Sequence, residues 1–308
     1  MQGLQNGGGR QKPGSRTEAL RFAVSLCALA GVINIAVRLI VLFLFRKEEG
    51  SYPGQYISDM TVMVFSMLLP VMALGYMGNG IKTYFAPECR RAAPLPSVLF
   101  VMLGFSGCVL FNDFVSLFDR FLPQADVGTI YITPDFGSFS LILISSSVFP
   151  AVCEEMLFRG YMYSTLSRFG AHFATVFSAF MFGFMHFSPS QMIFAFLCGY
   201  LLAYIRHVSG RFMLPVIIHF LNNAFSTVGT FIGLCCGTTA YAYYSLISHA
   251  ILMAVFFGSA GLLIYGGLNI LSFRRPRRSL TAREKLKAVV TTPALIIFVA
   301  LAVIEKFV

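Results

Sequence analysis

Long apolar runs separated by short polar breaks dominate the chain, near 20–45, 59–81, 95–112, 138–163, 171–188, 191–205, 212–234, 241–272 and 289–305. One spanning helix needs about 20 apolar residues. The pattern therefore predicts an all-α, polytopic transmembrane helix bundle of about eight or nine spans. Composition agrees: 57% of the 308 residues are hydrophobic and 12% are charged, against about 45–50% and about 25% in a typical soluble domain. The first apolar run is too long for the core of a signal peptide, so it reads as a retained span. No internal repeat is evident.

The formal net charge is +10, and its distribution matters more than its size. Arg10, Lys12, Arg16 and Arg21 precede the first run, and Lys82, Arg90 and Arg91 follow the second. Arg168 follows the fourth, Arg206 and Arg211 the sixth, and RRPRRSLTAREKLK, residues 274–287, the eighth. The intervening loops are neutral or acidic: Glu48 and Glu49 offset Arg46 and Lys47, and Asp113, Asp119, Asp126 and Asp135 surround Arg120. This alternation follows the positive-inside rule and places the N-terminus in the cytoplasm. Basic residues set between apolar segments point to topology and anionic lipid headgroups rather than nucleic acid. The 274–287 stretch reads as a solvated cytoplasmic loop. Arg38 interrupts the first run and either snorkels or pairs with an acidic residue elsewhere.

Seven cysteines show neither a CxxC nor a Cys/His metal spacing, which excludes a disulfide framework and a Cys-based zinc site. Adjacent Cys235 and Cys236 fall in a short loop. His172, at the turn, and His207, in a cytoplasmic loop, read as ordinary polar residues, and His249, in the eighth run, has no companion.

Three polar groups stand out within the apolar runs. CEEMLFRG, residues 153–160, carries Glu154, Glu155 and Arg159, although a charge at mid-bilayer costs about 2.5–3.5 kcal/mol even on lenient scales. Positions four apart share a helix face, so Glu155 and Arg159 form the expected pair. Glu154 points elsewhere, without a local partner. In FGFMHF, Phe182 and His186 share a face; in HFLNN, His219 and Asn223 do, with Asn222 beside them. Pro215 lies one turn before His219 and disturbs the helix there. Glu154 and His186 each lie 16 residues from Gly170, so an antiparallel hairpin turning there brings them to one depth. The same count leaves His219 nearer the cytoplasm. A buried carboxylate without a partner is suited to acid–base work near neutral pH. An intramembrane glutamate also suits a proton-coupled transporter, and a Glu–Arg pair can serve only to hold helices.

In this order on three membrane helices, E-E-x-x-x-R, F-x-x-x-H and H-x-x-x-N resemble the motifs of the CAAX prenyl protease and bacteriocin-processing (CPBP, or Abi) family. The motifs span about 70 residues (Glu154–Asn223). The resemblance divides the chain into a cytoplasmic tail (1–19), N-terminal membrane helices (20–136), a catalytic core (137–235) and C-terminal membrane helices (236–308). It implies an intramembrane endopeptidase in which Glu154 and His186 activate water. His219 and Asn223 would stabilise the oxyanion, and Glu155 and Arg159 would support the helix. If zinc takes part, Glu154, His186 and His219 would hold it. Asn is a poor zinc ligand, however, and no H-E-x-x-H is present, which favours a metal-free, glutamate-activated water. The implied partner is a membrane-associated or lipidated peptide substrate, entering from the cytoplasm or from lipid, in a bacterial plasma membrane. Two rivals stand: a catalytically silent immunity or scaffold protein, and a proton-coupled transporter.

Overall fold

The computed structural model describes residues 13–45, 52–77, 84–85, 92–118, 121–122, 133, 135–186, 188–267 and 280–304. The basic residues at 10, 12, 46, 47, 82, 90, 91, 120 and 274–278, and the acidic residues at 48, 49, 119 and 126, lie outside this set. Among the described residues there are nine helices and no strand: α1 (Pro13–Phe45), α2 (Tyr52–Met77), α3 (Pro94–Ser116), α4 (Phe136–Ser167), α5 (Ala171–Phe184), α6 (Pro189–Ser209), α7 (Met213–Tyr265), α8 (Ala282–Val290) and α9 (Pro293–Ile304). The protein is an all-α bundle integral to the membrane. Large apolar side chains such as Phe43, Phe65, Leu246 and Phe257 face outward, as lipid-facing positions do.

Six helices are long and apolar enough to cross a bilayer, and α8 with α9, bent by 63°, adds a seventh candidate. The 53-residue α7 counts once in that total. A straight helix of that length would be about 80 Å long, far beyond the roughly 30 Å hydrocarbon core. It is instead folded back at Gly237, whose φ of 84° and ψ of 173° are non-helical. The Tyr244 hydroxyl donates to the Phe225 carbonyl (3.0 Å), and the His249 ring lies 5.6 Å from the Phe225 ring. Arms 213–236 and 238–265 thus correspond to the seventh and eighth apolar runs. By contrast, α5 has 14 residues and at about 21 Å stops short of a full crossing.

Two buried apolar clusters organise the bundle. One joins α1, α2, α4, α5, α6, α8 and α9, with Phe158, Tyr161 and Phe298 among its fully buried residues; the other joins α3, α6 and α7 through Phe100, Leu202 and Ile218. The first and last helices therefore close on the central ones. Asp135 caps α4, accepting from the Ser138 amide at 3.0 Å. Its carboxyl is held well below the usual carboxylate range by the Ser138 hydroxyl, the Thr133 hydroxyl and the Ser138 amide.

Three readings of the sequence change. Cys235 and Cys236, read as loop, lie in α7 just before its fold-back. Residues 282–287, read as solvated loop, begin α8 instead, closed by a capping box between Thr281 and Glu284. His249 does have a companion, since its Nε2 lies 3.1 Å from Asp113 Oδ1, and Asp113 belongs to α3 rather than to a loop. The second of these pairings joins residues from distant parts of the chain.

A Cβ added at Gly237 would meet no atom within 4 Å, so the backbone conformation alone selects glycine there. Gly237→Ala should destabilise the protein by about 1–3 kcal/mol, read as a lower unfolding temperature in detergent micelles. Gly258→Ala, at a helical position equally open, should be neutral.

Candidate active site

The α4 helix is not regular. π-helical turns at Ile144–Val148 and Met156–Met162 flank the segment Phe149–Glu155 that carries both glutamates. Such turns replace i→i+4 bonding by i→i+5 and occur often at functional sites. The second of them, between the glutamates and the Gly170 turn, slightly shortens the climb from that turn to Glu155. His219, expected nearer the cytoplasm from straight helices, reaches the same cluster.

Glu155 and Arg159 pair as the spacing predicts, Arg159 Nη1 donating to Glu155 Oε1 at 2.7 Å with both side chains fully buried. The same Oε1 lies 2.9 Å from His219 Nδ1. An ionised carboxylate only accepts, so with Arg159 holding Glu155 as its counter-ion, Nδ1 carries the proton. His219 Nε2 then faces Glu154, at 3.8 Å from Oε2. That separation is too long for a direct hydrogen bond and suits a bridging atom. Glu155 thus does more than brace its own helix, because it also orients a histidine on α7.

His186 sits in the turn after α5, and its Nδ1 donates to the Phe182 carbonyl at 2.8 Å. A carbonyl cannot donate, so this bond leaves Nε2 as the acceptor nitrogen. The Phe182 ring meets His186 edge-on at 4.9 Å and His219 at 5.9 Å. Its face also carries the Arg159 guanidinium, 4.4 Å from the ring centroid. Asn223 donates from Nδ2 to the Ser146 carbonyl in the first π-turn (3.1 Å) and accepts from Asn222 Nδ2 at 3.2 Å. Its second amide hydrogen remains available to the cavity.

A cavity of about 90 Å³ gathers Glu154, His186, His219, Asn222 and Asn223, facing Cys108, Phe194, Cys198 and Leu202. That volume holds water. Every residue singled out as catalytic lines it, and Glu155 and Arg159 lie directly behind. Glu154 makes its ionic contact with His219, whereas the hairpin count singles out His186 as the residue facing it. Among the described residues, no three His, Cys, Asp or Glu side chains are grouped so as to hold a metal ion. Both histidines keep Nε2 for the cavity, as zinc-bound histidines do, but with Glu154 they are not grouped closely enough to form a zinc-ligand set.

Residues 136–225 match the model of a family described as type II CAAX prenyl endopeptidase, Rce1-like. Over this segment, 90 of the 308 residues, the chain is similar to the CAAX protease family. The match supports a CAAX-type intramembrane endopeptidase, a hydrolase, as the general class. No curated protein and no solved structure matches the chain.

Two contributors lie outside the motifs. Gly199 on α6 makes room for the buried pair: a Cβ there would lie 2.9 Å from the Phe182 ring, 3.1 Å from Arg159 Nη2 and 3.2 Å from the Ala179 Cα. A lone glycine within an apolar run gives little warning of such a role. Arg38, by contrast, is conspicuous as a charge, but its destination is not readable from sequence. It reaches the turn that carries His186. Gly199→Ala should cost about 1–3 kcal/mol by overpacking and displace Arg159. The checks are a lowered unfolding temperature and a loss of hydrolytic activity larger than that of Gly258→Ala.

Proposed function

We propose that this protein hydrolyses a peptide bond of a membrane-associated or lipidated peptide substrate within the bilayer, by glutamate-activated water. The observation that carries this reading is the convergence of Glu154, His186, His219 and Asn223 on one water-sized cavity between membrane helices.

In the proposed mechanism the substrate carbonyl enters between Glu154 and His219. Glu154 takes a proton from a water that also donates to His186 Nε2, and the resulting hydroxide attacks the carbonyl carbon. The oxyanion accepts from the free amide hydrogen of Asn223 and from Nε2–H of His219, which enters the cycle as the imidazolium and keeps both protons throughout. Glu155 stabilises that imidazolium through Nδ1, in the way a buried carboxylate orients and supports a catalytic histidine. Donors fixed in a site that excludes bulk water supply the largest share of such catalysis. Glu154 then passes its proton to the leaving amine, and the peptide bond breaks into carboxylate and amine.

The alternating basic loops support a cytoplasmic N-terminus. The basic helix α8 supports contact with anionic headgroups. Neither rival draws on the same convergence: a silent scaffold has no use for an oriented His219, and a transporter needs no Asn223 held beside it.

Glu154→Gln keeps the size of the side chain and removes the base. It should lower kcat on a fluorogenic lipidated peptide by about 10²–10⁴-fold, while Glu154→Asp retains part of the rate. Cleavage by Glu154→Gln at the unsubstituted rate would refute the mechanism and favour the scaffold. Proton-gradient-driven flux lost in the same variant would favour the transporter.

A further inference from the structure

The turn between α5 and α6 poses a problem that the motifs do not solve. Helix α5 ends after 14 residues at Phe184, inside the apolar slab, where the last carbonyls of a helix have no intrahelical donors. In lipid each such group must be satisfied by protein. Two of them are satisfied locally. Phe182 O accepts from the Met185 amide (3.3 Å) and from His186 Nδ1 (2.8 Å), and Gly183 O accepts from the His186 amide (3.0 Å). Ser188 then starts α6 as its N-cap, accepting from the Gln191 amide at 3.1 Å. The Met185 carbonyl, between these two sets, accepts from Arg38 Nη1 at 3.3 Å.

Arg38 comes from α1, far outside the matched segment 136–225. Its side chain is 9% exposed, and burying a guanidinium in an apolar helix has to be compensated. A helix C-terminus offers compensation of the right sign, because its dipole and terminal carbonyls attract a cation. The group held is the residue immediately before His186. Arg38 is also close enough to act electrostatically on both Glu154 and His186.

We propose that Arg38 is a positioning residue for the peptidase site: by capping the C-terminus of α5 at Met185 O, it fixes the turn that aims His186 Nε2 into the cavity. The catalytic part of this assignment rests on the proposed function. The geometric part does not. N-terminal helix α1 is thereby a working part of the site rather than packing around it. Arg38 does not touch the reacting atoms, so its loss should lower turnover without changing substrate affinity.

The test uses full-length protein in detergent micelles, labelled with 15N at its five histidines. In the unsubstituted protein the His186 ring signals should show a single tautomer with the proton on Nδ1. In Arg38→Gln they should move to the averaged pattern of an unrestrained ring, and Arg38→Lys, which keeps the charge but not the fork of donors, should lie between. With the fluorogenic peptide, Arg38→Gln should lower kcat by about 10- to 100-fold with KM within about twofold. An unchanged His186 pattern in Arg38→Gln overturns the assignment whatever the activity. If that variant does not fold, Arg38→Lys decides alone: a partly averaged pattern supports the assignment and an unchanged one overturns it. Arg38→Gln turning over at the unsubstituted kcat, beside an inactive Glu154→Gln, overturns only the role of Arg38. Activity retained in Glu154→Gln overturns only the proposed function, since the tautomer signal does not depend on cleavage.

Discussion

A carboxylate with no access to water has to be answered by other charges, and Glu155 is answered twice through one oxygen. Arg159 reaches it from the next turn of α4 and His219 reaches it from α7. Removing one partner of such a buried pair typically costs about 3–5 kcal/mol, so the arrangement behaves as a unit. Its surroundings are explained by it. The Phe182 face lies under the guanidinium, and Gly199 leaves the space in which the guanidinium sits. What reads in one dimension as a local i,i+4 pair is, in three, the joint between the helix that carries Glu154 and the helix that carries Asn223.

The backbone of α4 is adapted to that joint. Its two π-turns lie on either side of the glutamates, and the first presents the Ser146 carbonyl to Asn223. A main-chain acceptor is a firm anchor for an amide, because it cannot rotate away. Asn222 fixes the other end of the same amide. Asn223 is therefore held by one side-chain and one main-chain contact, and its remaining hydrogen is the part that the proposed mechanism uses.

The apolar runs make the helical bundle legible, because a hydrophobic segment near 20 residues has few other uses. The motif residues are legible as a set because charge, histidine and asparagine are conspicuous against an apolar background. Spacing along one helix correctly pairs Glu155 with Arg159, since that distance is set by helix geometry alone. Relations between helices are harder to read. The His219–Glu155 bond joins residues 64 positions apart, and Arg38 meets Met185 across 147 positions of chain. The pairing of His249 with Asp113 escapes a linear reading for the same reason, as it joins α7 to α3. In α8 the signal is present but masked: Thr281 and Glu284 have the spacing of a capping box, within a stretch whose basic character suggests only solvent.

The shortness of α5 has a consequence for where the reaction can happen. A helix anchored at the Gly170 turn and ended after 14 residues acts as a ruler. It sets the depth of His186 below the membrane surface, and one further turn would carry the ring about 5.4 Å past the glutamates. Under the proposed function, the protein thus selects a bond in its substrate partly by altitude. The chain to be cut has to present its scissile amide at the level that α5 measures, whatever side chains flank it.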